Sequence, residues 1–192
     1  MSDKPIRIVV IKGSVRPNNY TSMAVALVVD ELQKDPQVHV QVIDPSEYNL
    51  PMPGTDWSAP GAKRLQEAVK KATAIVLATP EYHGSFSSVM KLVIENLGFP
   101  SALQGKPVAL MGVAAGAIGA IKSLEQLRSV AAHVGAIVLP TPVSVANVQS
   151  VFDSGGHITD VAIENTIRGV AQRDGIHSWQ RVSTRDAGTV DA

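Results

Sequence analysis

The chain is expected to fold as one α/β domain, a three-layer sandwich with a five-stranded parallel sheet in the order 2-1-3-4-5. Three observations lead there. Short apolar runs without polar alternation recur along the chain, the pattern of strands buried on both faces. Each run ends in a glycine- or proline-bearing turn and is followed by a segment of helical period, so strands and helices alternate. The length, 192 residues, suits one domain with a sizeable core. Right-handed crossovers between the strands follow.

Ile6–Ile11 reads as the first buried strand. After a polar loop, Met23, Ala24, Leu27, Val28 and Leu32 mark the inner side of a helix. Val38–Ile43 alternates in polarity and reads as a second strand at a sheet edge, with His39 and Gln41 on its solvent side. Asp44–Ala59, rich in proline, glycine and aspartate, exceeds ordinary connection length and is read as a rim element. Its Tyr48 and Trp57 either cover a ligand or neighbouring subunit or pack the loop itself. Pro60–Ala72 follows as a helix with Leu65, Ala68, Val69 and Ala72 inward. Ala74–Ala78 is the third strand, and Pro80, lacking an N–H, is expected to stop its ladder.

Phe86, Val89, Met90, Val93, Ile94 and Leu97 share one face of a third helix, capped by Ser85 or Ser87, with Lys91 and Glu95 paired outside. Lys106–Val113 is the fourth strand, ending in the small-residue loop Ala114–Gly119. Ile121, Leu124, Leu127, Ala131 and Val134 line the fourth helix, and Gly135 fits its left-handed C-terminal position. Ala136–Leu139 is the fifth strand, broken by Pro140-Thr-Pro142 and extended by Val143–Val145. After the loop Asn147–His157, Thr159 is the expected cap of a last helix with Ile163, Ile167 and Val170 inward and a Glu164–Arg168 pair. Residues 1–174 are taken as the domain and 175–192 as a polar tail.

Composition narrows the function. Lys plus Arg and Asp plus Glu are both 17, a balance that argues against nucleic-acid or membrane-surface partners. With no cysteine, disulfides, thiolate metal sites and cysteine nucleophiles are excluded. No metal site is expected. The N-terminal segment lacks a signal-peptide pattern and no apolar stretch is long enough to span a bilayer, so a cytoplasmic protein is expected.

In an open sheet of this order, ligands bind outside the strand carboxyl ends, in the crevice between strands 1 and 3. Three loops meet there. Gly13-Ser-Val-Arg16-Pro-Asn-Asn-Tyr-Thr-Ser22 leads from a strand into a helix N-terminus, where backbone N–H groups, the helix dipole and small hydroxyls suit an anion, and Arg16 offers a fork for phosphate oxygens. It matches neither G-x-G-x-x-G nor the P-loop, and a capped helix start with a surface arginine reads the same residues equally well. Thr79–Lys91 supplies a polar aromatic loop. The small side chains of Ala114–Gly119 either admit a flat ligand or serve tight strand–helix packing.

Taken together, Gly13-Ser-x-Arg16 with its downstream Asn and Thr/Ser, Pro80-Glu-Tyr-His-Gly-Ser85 with Lys91, and the small-residue loop after strand four resemble the flavodoxin-like NAD(P)H-dependent FMN reductase family over residues 6 to 150. The Pro80–Ser85 motif is the specific one. The resemblance implies that Ser14, Arg16, Asn18 or Asn19, Tyr20, Thr21 and Ser22 hold the FMN phosphate. It implies that Pro80, Glu81, Tyr82, His83, Gly84 and Ser85 line the isoalloxazine ring and that Ala114, Ala115, Gly116 and Ala117 approach its far edge. His83 stands where the family commonly has asparagine, and alanines stand where serine or glycine is common after strand four, so FMN is either a bound cofactor or a dissociable substrate.

The implied activity is hydride transfer from NADH or NADPH to FMN, with no protein catalytic residue, by ping-pong turnover. Reduced FMN is then available to a partner monooxygenase. An FMN-containing quinone or azo reductase is the alternative acceptor reading. A flavodoxin-like electron carrier is the alternative from another class, disfavoured because such carriers are acidic. His83 is read as a positioned hydrogen-bond donor rather than a proton donor, and Glu81 as an exposed turn or interface residue rather than a base. A homodimer or homotetramer is expected, with Phe86, Phe99 and the Asp44–Ala59 loop as candidates to reach the neighbour.

Overall fold

The computed structural model describes residues 5–172; the expected polar tail lies outside them. The elements are β1 (Ile6–Lys12), α1 (Tyr20–Leu32), β2 (Val38–Ile43), α2 (Pro60–Lys71), β3 (Ala74–Tyr82), β4 (Ser85–Phe86), α3 (Ser88–Glu95), β5 (Pro107–Val113), α4 (Ile121–His133), β6 (Ile137–Val138), β7 (Val143–Val145) and α5 (Val161–Gln172). Short 3-10 turns cover Pro45–Glu47 and Val148–Ser150. The sheet runs β2-β1-β3-β5-β6, with β7 continuing the edge beside β5, and all these pairs are parallel. This is the expected order 2-1-3-4-5, the fifth strand being split into β6 and β7 around Leu139–Pro142.

The three layers follow from the pleat. Ile6, Ile8 and Val10 of β1 join Ala74, Val76 and Ala78 of β3 on the face covered by α1 and α5. Val9 and Ile11, with Ile75 and Leu77, face α2, α3 and α4. Alternate residues therefore enter different cores, and that is why these strands read as unbroken apolar runs.

Four local expectations change. β3 does not stop at Pro80 but continues to Tyr82, with Pro80 in register with Val113. Ala78 accepts from Gly13 N at 2.6 Å, so the nitrogen of Pro80, two residues on, faces the side where β1 has already ended, and its missing N–H breaks no ladder bond. The chain then turns back, and Phe86 belongs to β4, paired antiparallel with Glu81, rather than to α3. Ile121 opens α4 exposed, while Ser123 is buried in its place. The cap of α5 is Asp160, which accepts from Ala162 N at 2.8 Å and Ile163 N at 3.1 Å; Thr159 instead bonds Val151 O.

Candidate functional site

The carboxyl ends of β1, β3 and β5 border an open cleft of about 240 Å³. Its first wall is the loop after β1. Asn19 stops the loop and starts α1, its Oδ1 accepting from Ser22 N at 2.8 Å and its Nδ2 donating to Arg16 O at 2.6 Å. Asn18 just before it has a left-handed φ of 50°, a conformation asparagine tolerates. The result is a tight turn that places Ser14, Arg16, Asn18, Asn19, Tyr20 and Thr21 along the cleft. The backbone N–H groups of Tyr20 and Thr21, in the first turn of α1, donate to no described residue.

Ser14 is 2 % exposed, and its hydroxyl has no hydrogen-bond partner. The Ser22 hydroxyl in the first turn of α1 is likewise buried and unpartnered. Buried hydroxyls are nearly always bonded, and that of Ser14 is left open at the cleft, whereas Ser22 lies outside the lining. The Arg16 guanidinium is exposed and makes no ion pair with a described residue. The buried Ser14 donor, the free N–H groups and the unengaged Arg16 guanidinium fit a phosphate monoester at this end.

The second wall is the end of β3. Pro80, Glu81 and Tyr82 line the cleft. His83 and Gly84, with φ of 51° and 75°, form a two-residue turn of the primed type that suits a hairpin. This turn sends His83, Gly84 and Ser85 away from the cleft lining. Ser85 Oγ donates to Gln126 Oε1 at 2.7 Å, and Gln126 Nε2 donates to Gly84 O at 3.0 Å. Glu81 is half-buried rather than exposed, and its Oε2 accepts from Ser123 N of α4 at 3.2 Å.

One hydroxyl joins these two walls. Ser87, buried, caps α3 by accepting from Met90 N at 3.0 Å and donates to Gly13 O at 2.5 Å. Close packing at Gly13 completes the junction: a Cβ there would lie 2.8 Å from Ala78 O.

The third wall is Ala114 and Ala115, with Val113 at the end of β5. Gly116 and Ala117 lie further along the exposed loop, outside the lining. Val148 and Gln149, in the loop after β7 that carries no site motif, close the cleft beside them. Val148 N donates to Ala114 O at 3.0 Å and Asn147 N to Gly116 O at 3.2 Å, so the loop after β7 is laced to the loop after β5. The signal for them was positional: they follow the fifth strand at the same sheet end. Tyr48 and Trp57 stand away from the cleft. Tyr48 is buried with the Arg64 guanidinium 4.0 Å over its ring, whereas Trp57 is 75 % exposed. Among the described residues no cluster of three or more potential metal ligands occurs, and no helix is long and apolar enough to cross a membrane.

Residues 6–150 match the family model described as NADPH-dependent FMN reductase. The chain is 29 % identical over 188 residues to the NAD(P)H-dependent FMN reductase PA1204 of Pseudomonas aeruginosa, covering 94 % of this chain and 98 % of that one. It is 30 % identical over 138 residues to the NADPH azoreductase of Bacillus sp. strain OY1-2, covering 72 % and 75 % of the two chains. Among solved structures, FerB, a flavoenzyme NAD(P)H:(acceptor) oxidoreductase of Paracoccus denitrificans, shares the fold with a TM-score of 0.74 at 21 % identity, covering 94 % of this chain and 98 % of that one.

Proposed function

The chain belongs to the NADPH-dependent FMN reductase family, and on that premise we propose that its cleft seats FMN with the phosphate at Ser14, Arg16 and the start of α1 and the ring between Pro80–Tyr82 and Ala114–Ala115. The activity is that of an NAD(P)H:FMN oxidoreductase. The observation that carries the assignment of the phosphate end is the buried, unpartnered hydroxyl of Ser14 at the cleft. When bound, FMN supplies the hydride-accepting and electron-passing chemistry.

The protein's part is binding and orientation. Arg16 and the first-turn N–H groups of α1 meet negative charge, and Ser14 donates a hydrogen bond that no protein atom claims. Pro80, with no N–H and a fixed φ, gives a rigid apolar wall for a flat ring. Ala114 and Ala115 leave room for close approach on the other side. Hydride transfer to a flavin needs contact geometry rather than a protein nucleophile, and this cleft has a shaped wall and an anchor at opposite ends.

The 30 % identity to a Bacillus azoreductase supports azo dyes as further acceptors, and a quinone is the alternative acceptor. A partner monooxygenase drawing on reduced FMN, a cytoplasmic location and a homodimer or homotetramer complete the reading; the full exposure of Phe99 and the 75 % exposure of Trp57 support the oligomer.

The test is steady-state oxidation of NADH and NADPH with free FMN varied. Saturable FMN-dependent turnover with parallel double-reciprocal lines is expected. Turnover that needs a quinone or dye while FMN stays with the protein through gel filtration would move the acceptor, and no oxidation at all would sink the reading. Arg16→Ala is expected to raise the FMN dissociation constant about ten- to a hundredfold, the scale of a lost charge-assisted hydrogen bond.

A further inference from the structure

Helix α4 starts badly by its own sequence. Ala120 occupies the cap position without a side-chain bond, and the first turn contains no acidic residue. Lys122 in that turn opposes the helix dipole. Two residues from other elements supply the missing acceptors. Ser144 Oγ of β7 accepts from Ala120 N at 2.8 Å, and Glu81 Oε2 at the end of β3 accepts from Ser123 N at 3.2 Å. One turn further on, the Gln126 amide engages the hairpin reciprocally, through Gly84 O and Ser85 Oγ.

The position of this clasp matters. Glu81 lines the cleft between Pro80 and Tyr82, and α4 emerges directly from Ala114–Gly119, whose first residues form the opposite wall. Glu81 therefore belongs to one wall and, through its carboxylate, holds the helix that leads from the other.

We propose that Glu81 is a positioning residue for the flavin site: its carboxylate caps α4 from outside and, with the Gln126 clasp, sets the spacing between the β3 wall and the Ala114–Ala115 wall. The inference rests on the cleft being the FMN site. The work is done by an acceptor in the right place, so glutamine at this position serves where alanine does not.

The test compares wild type, Glu81→Ala, Glu81→Gln and Gln126→Ala by flavin fluorescence titration, well below the melting temperature of each, together with kcat and the FMN KM. Glu81→Ala is expected to weaken FMN about five- to tenfold, the scale of a lost helix cap. Its FMN KM rises in the same proportion. Glu81→Gln should restore affinity to within about twofold of wild type, because its amide oxygen still accepts from Ser123 N. Gln126→Ala, outside the cleft lining, should weaken FMN in the same direction. Wild-type affinity in Glu81→Ala overturns the proposal, and so does equal weakening in Glu81→Gln. If wild type itself bound no FMN, the site reading would fail separately. The clasp would then be judged by amide exchange at Ser123: faster exchange in Glu81→Ala but not Glu81→Gln sustains it, and unchanged exchange overturns it.

Discussion

Ser14 has opposite consequences for the free and the loaded protein. Its hydroxyl is desolvated without a partner, a state that costs about 1–3 kcal/mol when nothing fills it. Ser14→Ala is therefore expected to leave the apoprotein as stable as wild type or more so, while weakening FMN about ten- to a hundredfold, the range of one lost hydrogen bond to a charged acceptor. Chemical denaturation without flavin and titration with it check both halves, and a loss of apoprotein stability would contradict the account. The loop around Ser14 was legible because its residue types carry their own chemistry: small hydroxyls, asparagines and an arginine between a strand and a helix. Val148 and Gln149 were not, since nothing in a valine or a glutamine announces a ligand. Their place in the cleft comes from hydrogen bonds between two loops far apart in the chain. His83 shows the same limit from the other side. The motif was visible, but its left-handed φ, which turns it into a hairpin tip away from the cleft, depends on Gly84 and on the pairing of Tyr82 with Ser85.

At the scale of elements, period and punctuation revealed every long strand and helix, because burial on two faces imprints itself on composition. What they missed was decided by neighbours. Pro80 sits inside a strand because the pairing with β1 ends two residues earlier, at Ala78. Ile121 is exposed because α4 presents Ser123 to the core through its own Oγ–Ala120 O bond at 2.9 Å. The seating of α2 was equally invisible. A Cβ on Gly61 would fall 1.5 Å from Tyr48 O, so the helix start and the 3-10 turn Pro45–Glu47 touch backbone to backbone. Gly61→Ala is expected to cost about 3 kcal/mol, the upper range for forced overpacking, read as a lower urea midpoint with unchanged slope.

The same corner holds an ion pair, Lys12 Nζ to Asp44 Oδ2 at 2.6 Å. Partial burial pushes the Asp44 carboxyl up, but hydrogen bonds from Lys12 and Ser46 outweigh it and the net displacement is below the ordinary carboxylate value. Because the folded value is the lower one, the stability this group contributes is present above about pH 4 and is lost as pH falls through the folded value. Asp44→Asn should lose about 0.5–1 kcal/mol near neutrality, the scale of a solvent-screened pair, and nothing further in acid. Urea midpoints measured from pH 7 down to about pH 3 should converge for the two proteins at the acid end.

For the whole molecule, the cleft draws on the ends of β1, β3 and β5 and on the loop after β7, so a ligand there bridges most of the sheet. FMN at a hundred times its dissociation constant should add about 2.7 kcal/mol, or about 5–10 °C in melting temperature. Riboflavin at the same concentration, lacking the phosphate, should shift the melt less. Equal shifts would place the anchoring elsewhere than at Ser14 and Arg16. On the far side of the sheet, α5 is tied to α1 by Arg168, whose guanidinium reaches Glu164 at 2.8 Å, Asp30 at 2.5 Å and Glu31 at 3.4 Å. That joins α5 to α1 with charge rather than with more hydrocarbon.

The split of the last strand has a consequence for self-association. β6 and β7 present two and three residues, interrupted by Pro140 and Pro142, so this border of the sheet offers no continuous row of N–H and C=O groups for another chain to copy. The opposite border is β2, six residues without a break. Strand templating between molecules is thereby confined to one side, where His39 and Gln41 stand exposed beside Val42. Exchanging both for valine would leave the cleft untouched and turn that margin into the protein's point of entry to fibrillar aggregation.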